Sequence, residues 1–227
     1  MENVVRVLST LALMGAVRSL AGRYQAATGV RIDADFAPTL GLLDRLRGGE
    51  NADVVILTKQ ALDDLVSQGA VVADSCVDLA RSYVGIAVKA GADHPDIATE
   101  VALRAALLGA RVAYSRIGAS GIFFAALIER MGIAAEVSAR ARIIPSGLTA
   151  ELLVSGEADL AVQQLSELKL VAGIEVVGPI PRHLQTPAVF SAGRLAASER
   201  AVQSGALLKY LASPEVAPVL RDSGLEP

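Results

Sequence analysis

Hydroxyl and amide side chains recur directly after short apolar runs. Ser9 and Thr10 follow "VVRVL", Thr39 follows "DADFAP", and Thr58 ends "VVILT". Ser115 ends "VAYS", Ser146 follows "RIIP", and Gln163 and Gln164 follow "LAV". Arg116 comes next after Ser115, with Ser120 and Gly121 a little further on in "SRIGASGIFF". An apolar run that stops at a hydroxyl and restarts as a helix brings free backbone N–H groups and the positive end of a helix dipole beside that hydroxyl. Such a place favours negatively charged oxygen. Arg116 adds a guanidinium, whose fork matches a carboxylate or a phosphate. Taken singly, each hydroxyl also reads as an ordinary helix cap worth about 1 kcal/mol, and Arg116 as a solvated surface charge. Their recurrence at successive strand ends points instead to one anion site with hydroxyls, amides and a single cation.

Several chemistries fall away. Neither G-x-x-x-x-G-K-[ST] nor G-x-G-x-x-G occurs, so nucleotide phosphate is not indicated. Two histidines and one cysteine cannot make an ordinary His/Cys zinc site, and no metal or cofactor is expected. A net charge of −3 with 4% aromatic residues leaves neither a basic footprint nor a stacking surface for nucleic acid. The single cysteine, Cys76, excludes an intramolecular disulfide. Candidates for moving protons are Glu167, Lys59 and Tyr114, of which the first two read more simply as exposed helix-end charges and the third as a core residue. His94, in "GADHPD", reads as part of a surface turn, and His183 as a loop residue; neither has an evident partner.

The elements that must carry these residues alternate. Val4 to Leu8 reads as a strand, followed by a helix with Leu13, Val17, Leu20 and Tyr24 at helical spacing, ended by Thr28 and Gly29. "VRIDADF" alternates as a strand, "TLGLLDRLRGG" is a short helix, and "ADVVIL" is a continuous apolar run fit for a strand covered on both faces. The pattern repeats through "SYVGIAVKA", a helix near Thr99–Leu108, "RVAY", "SGIFFAALIERMG", "ARII", "GLTAELLVSG", "ADLAVQ" and "GIEVVGPIP". A helical tail follows, with Ser213 expected to cap at Pro214. Hydrophobic residues make up 52% of 227, enough for a core built of Ala, Val, Leu and Ile, since Trp is absent. Strand–helix alternation predicts an α/β fold with mainly parallel sheets, and ligands in such sheets sit beyond the carboxyl ends of the strands.

Val7 to Val17 imitates a signal-peptide core, but Glu2 stands against Arg6 and no A-x-A-like site follows. The expectation is a cytoplasmic chain as given, or a periplasmic one if a leader preceded it. No run approaches the roughly 18 apolar residues of a membrane span, so no membrane insertion is expected.

The blocks "VRVLSTLALMGAVRSLAGRYQAATGVRIDADF", "GGENADVVILTKQALDDLVSQG", "GASGIFFAALIERMGI", "LLVSGEADLAVQQLSEL" and "LLKYLASPEVAPVLRDSGLEP" resemble the molybdate-binding periplasmic protein family. The resemblance implies a two-lobed type II periplasmic-binding fold with an inter-lobe ligand cleft, serving an ABC permease where the protein is exported. It implies one lobe of residues 1–80 plus 188–227 and another of 81–187. The departures also inform. The serine of the family's A-A-S-L-T loop is Ala12 here, its S-S-G becomes "PTLG" with Thr39 alone, and its tyrosine after "SGEAD" becomes Gln164. These changes, with Arg116, favour an organic carboxylate over molybdate. Proteins similar to this family include aconitate isomerases, so a cytoplasmic isomerase of an unsaturated polycarboxylate is the alternative to simple anion binding. An effector-sensing domain is a weaker one, since no helix-turn-helix precedes the fold.

Overall fold

A computed structural model describes residues 3–227, which leaves Glu2 outside the description. The chain runs β1 (Val4–Thr10), α1 (Met14–Thr28), β2 (Arg31–Ala37), α2 (Thr39–Arg47), β3 (Val54–Thr58), α3 (Lys59–Ser67) and β4 (Val77–Ser82). It continues through β5 (Val84–Lys89), α4 (Glu100–Gly109), β6 (Val112–Ser115), α5 (Ala119–Arg130), α6 (Ala134–Ser138) and β7 (Arg142–Ile144). Then come α7 (Glu151–Val154), β8 (Leu160–Gln164), α8 (Leu165–Leu168), β9 (Ile174–Pro179), β10 (Ala188–Arg194), α9 (Ala201–Leu211) and α10 (Ala217–Asp222). Two compact units result: residues 3–82 with Ala188–Pro227, and Tyr83–Pro187.

The first unit is built on a sheet of order β2-β1-β3-β10-β4. β1 runs parallel to β2 and β3, whereas β10 is antiparallel to β3 and β4. The continuous apolar run of β3 has a simple cause. Val54 and Ile56 enter the cluster beneath α1, α9 and α10, while Val55 and Leu57 enter the one beneath α2 and α3. A strand covered on both faces has no position left for a polar residue until it ends. Gly29 stops α1 with φ +71, a left-handed conformation natural to glycine.

The second unit carries the order β7-β6-β8-β5-β9, with β6 parallel to β7 and β8, and β5 antiparallel to β8 and β9. Its two faces differ. Val112, Tyr114, Val162 and Ile86 meet α4 and α5 on one side. Ala87, Ala113 and Ala161 form the other face, under the single-turn helices α7 and α8. Small side chains let those short helices sit close to the sheet.

Some elements differ from the sequence reading. β10 and α6 carried no prediction, and the helix expected over "GLTAELLVSG" shrinks to Glu151–Val154. Ser213 precedes a 3-10 turn and makes no side-chain cap bond. Thr99 does cap its helix, accepting from the Ala102 N–H at 3.1 Å.

Candidate functional site

In each unit the parallel strands bring their carboxyl ends to one sheet edge. In the first unit, Ser9 pairs in register with Phe36 on β2 and with Ile56 on β3. Ser9 and Thr10, Thr39 and Thr58 therefore share that edge. Ser9 is fully buried, and its Oγ donates to the Thr10 carbonyl at 3.1 Å. Thr10 Oγ1 is buried with no hydrogen-bond partner, although the residue begins a 3-10 turn over Leu11–Leu13. Thr39 is the first residue of α2, not its cap, a position held by Pro38. Thr58 precedes α3 without a side-chain cap bond. Lys59 begins α3 half-exposed, with Asp63 at 3.4 Å and Asp78 at 3.8 Å, and these carboxylates raise its pKa. The cation at this edge is thus answered within its own unit.

The second unit gathers more chemistry. Ser115 pairs with Ile144, so the end of β6 lies beside the turn that carries Ser146. Val112 and Ala113 pair with Leu160 and Ala161, which sets Gln163 and Gln164 on the next strand at the same edge. Ser115 Oγ accepts from the Ile117 N–H at 3.3 Å. Arg116 is exposed, with Nη2 3.4 Å from the hydroxyl of Tyr114, itself fully buried in edge-to-face contact with Phe124. Ser120 is buried but does not cap α5; the cap position is Gly118, whose own site has space for a Cβ. The glycine that matters is Gly121. A Cβ there would stand 1.2 Å from the Ser115 carbonyl oxygen, so α5 can seat its first turn against the end of β6 only with glycine at this point.

Gln163 and Gln164 differ in role. Gln163 Oε1 accepts from the Thr149 N–H at 2.8 Å and from its hydroxyl at 3.0 Å, while Nε2 donates to the Gly147 carbonyl at 3.1 Å. Its amide ties the turn bearing Ser146 to β8. Gln164 leads into α8 in a capping-box arrangement with Glu167. The carboxylate arm is formed, Glu167 Oε2 accepting from the Gln164 N–H at 3.3 Å. The amide arm is loose, because Gln164 Oε1 is buried without a well-formed hydrogen bond.

Glu167 departs from its expected place as an exposed charge: it is only 7% exposed. Burial pushes its carboxyl up to about 8, against the opposing pull of hydrogen bonds from Gln164 and Gln163. The signal that could have found it is the three-residue spacing Gln164…Glu167, a capping box that folds the carboxylate back over the strand end. His94 also has a partner, Glu175 Oε2 at 2.9 Å. His183 lies exposed in a short turn over Arg182–Leu184.

Other hollows offer less. One of about 490 Å³ lies at the opposite edge of the second sheet, with Lys89, Arg111 and Asp159 among its lining. There Arg111 grips Asp159 through Nε at 3.0 Å and Nη2 at 2.6 Å, so its charge is already met. Among the described residues no cluster of three His, Cys, Asp or Glu side chains is placed to hold a metal ion, and no helix is long and apolar enough to cross a membrane.

This architecture is shared with known proteins. The periplasmic molybdate-binding protein of Azotobacter vinelandii superposes with a TM-score of 0.83 at 18% identity, over 98% of this chain and 99% of that one. The sulfate-binding protein SubI from Mycobacterium tuberculosis H37Rv gives 0.80 at 15% identity, over 100% and 87%. At these identities the likeness is one of fold: two α/β units of the type II periplasmic-binding kind. In sequence, an aconitate isomerase from a Pseudomonas species is 41% identical over 232 residues, covering 99% of this chain and 88% of that protein. The family model of bacterial extracellular solute-binding proteins runs from residue 5 to residue 226. With sheet order, strand-end donors and an end-to-end sequence match in agreement, the chain belongs to the bacterial extracellular solute-binding proteins.

Proposed function

We propose that this chain binds an unsaturated polycarboxylate at its strand ends and interconverts that acid's isomers by moving a proton. The observation that carries the reading is Glu167, a buried carboxyl titrating near 8 at the end of β8, on the same sheet edge as Ser115, Arg116 and Ser120. An exposed glutamate would be ionised at neutral pH and a poor base. One that titrates near the working pH is present in both forms, as a group that must take a proton and give it back requires. The 41% identity to an aconitate isomerase, over 99% of the chain, supports the same reading.

The chemistry balances without an oxidant or a metal. A C–H bond breaks at a carbon flanked by a carboxylate and the C=C double bond, and Glu167 takes the proton. The electron pair spreads over the three-carbon allylic system and onto the carboxylate, whose charge Arg116 and the N-terminal N–H groups of α5 are suited to hold. Glu167 then returns the proton to the far allylic carbon, and the double bond has moved. Substrate and product are isomers, and the enzyme is regenerated.

The test is incubation with cis- and trans-aconitate in deuterated water, followed by NMR. Interconversion with deuterium entering the allylic carbons is expected, together with loss of at least 100-fold in Glu167→Gln. That variant keeps an oxygen able to accept from the Gln164 N–H, so it separates capping from proton transfer. Full activity in Glu167→Gln overturns the assignment. Tight binding with no deuterium uptake favours the second reading, plain solute capture, which the solute-binding family match supports.

A further inference from the structure

Gln163 stands between the Glu167 carboxyl and the turn after β7, and its neighbours dictate which way its amide faces. The side chain is only 3% exposed, so water does not decide the matter. A backbone N–H only donates, so the atom 2.8 Å from the Thr149 nitrogen must be the amide oxygen. A backbone carbonyl only accepts, so the atom 3.1 Å from the Gly147 oxygen must be the amide nitrogen. Both ends demand the same orientation. The Thr149 hydroxyl, 3.0 Å from the amide oxygen, agrees with it. What the amide has left is one N–H, and that N–H donates to Glu167.

This orientation has a chemical consequence for the carboxyl. Gln164 also offers it a donor, the backbone N–H 3.3 Å from Oε2. Donors bind a carboxylate more strongly than a neutral carboxyl, so both contacts favour the form that can accept a proton. Burial opposes them and is the larger influence.

The ionisable groups around α8 are few. β8 and the turn over residues 145–150 carry none. β5 offers Lys89, β9 offers Glu175 and α7 offers Glu151, all exposed. Lys89 and Glu175 sit at the strand ends remote from Gln163, the first at the Val154 carbonyl and the second against His94. Lys169 follows α8, Tyr83 precedes β5, and Tyr114 and Arg116 belong to the end of β6. The influences on Glu167 are burial and the two hydrogen bonds, not these charges. One buried amide therefore serves the turn and the carboxyl together, and moving either without the other breaks a hydrogen bond away from water.

We propose that Gln163 is the positioning residue of Glu167: the turn at Gly147 and Thr149 orients its amide so that only an N–H faces the carboxyl, which is held ready to accept the substrate's proton. The proposal rests on the isomerase reading above and adds the residue that readies its base. Gln163 itself exchanges no proton.

The test compares Gln163→Met and Gln163→Glu with wild type, using the full chain. It reads the pH profile of kcat/KM for trans-aconitate and the carbon-13 NMR titration of the Glu167 carboxyl, assigned by its loss in Glu167→Gln. The base works ionised, so the wild-type rate should rise with pH through the Glu167 titration. Gln163→Met keeps the bulk and removes the donor, so the titration and the rate inflection should both move up by about one unit. At neutral pH the rate should fall about 10-fold, and the loss should shrink as pH rises. Gln163→Glu keeps an oxygen for the Thr149 N–H, so it holds the turn even where Gln163→Met does not fold. Its second carboxyl should move the inflection at least as far. A rate loss equal at every pH, with the titration unmoved, overturns the proposal and leaves Gln163 a brace for the turn. A wild type that never interconverts the aconitates, with the titration still displaced in the variants, rejects the isomerase and keeps the hold of the amide on the carboxyl.

Discussion

The two sheets present the same kind of edge to different effect. In the first unit the carboxyl ends carry neutral hydroxyls, and Lys59 is answered by Asp63 and Asp78. In the second, hydroxyls share the edge with amides, the exposed Arg116 and a carboxyl that burial pushes up to about 8. Neutral donors accept any oxyanion of fitting size, because dipoles turned toward an anion do not count its carboxylates. A cation does count them. On the function proposed above, the first edge holds an anion, and the second chooses one and acts on it.

That contrast can be broken most sharply at a glycine. Gly121→Ala would force a methyl to 1.2 Å from the Ser115 carbonyl, and either α5 or the end of β6 must move. The cost should be about 4 kcal/mol or more, since backbone on both sides has no rotamer with which to yield. In the first unit, Gly205 in α9 has nothing within 4 Å of its absent Cβ. Gly205→Ala should stabilise by about 1 kcal/mol. Urea unfolding of both variants checks the pair; a Gly121→Ala protein with wild-type stability would show that the close approach is not needed.

Glu167 gives the next largest effect, and its sign is fixed by its environment. The carboxyl titrates near 8 when folded and near its ordinary 4.5 when unfolded. Below pH 4.5 both states are protonated and folding is not penalised. Between 4.5 and 8 the unfolded chain releases a proton that the folded one retains, so stability falls as pH rises, then levels off above 8. Glu167→Gln should not titrate there and should gain on wild type by something on the order of 3 kcal/mol between pH 4.5 and 8.5. Thermal melts across that range decide it. Parallel curves would mean that the carboxyl is solvated.

Much of this was legible in the sequence, for a physical reason. Strands covered on both faces must be continuously apolar and can turn polar only where they end, so "VVILT" and "LAVQQ" mark both the strand and the edge where it stops. Pairing partners far along the chain were not legible. β10 lies between β3 and β4 through contacts more than a hundred residues distant in sequence, and its own pattern "AVFSAGR" is mixed. The burial of Glu167 and the stacking of Arg182 on Tyr83 depend on similarly long returns. Gln163 and Gln164 look alike as neighbours, yet one binds the turn at Gly147 and Thr149 while the other faces the start of a helix. Only the pleat, which sends adjacent side chains to opposite faces, separates them.

Arg116 tests the charge contrast directly. It is exposed, so water and salt screen it, and Arg116→Ala should cost about 1.5 kcal/mol of affinity for a carboxylate, near 10-fold. Thr39→Val, on the other edge, should cost less than that and should weaken carboxylate and tetrahedral oxyanions alike. Titrations at low and high salt add a second reading, because only the Arg116 contribution should fade as salt rises. Equal, salt-independent losses at both positions would erase the distinction between the edges.

Thr10 offers the smallest effect and the finest discrimination. Its hydroxyl is buried without a partner at the start of the Leu11–Leu13 turn. An unpaired buried hydroxyl costs free energy, so a fold that needed only packing there would be better served by valine. Thr10→Val should therefore raise stability by about 0.5–1 kcal/mol and lower affinity for any anion by a similar amount. Opposite signs in the two measurements mark a group retained for a ligand at the expense of the fold. If stability rises and affinity stays as it was, Thr10 is a tolerated defect, and the hydroxyls of the first edge do not act as a set.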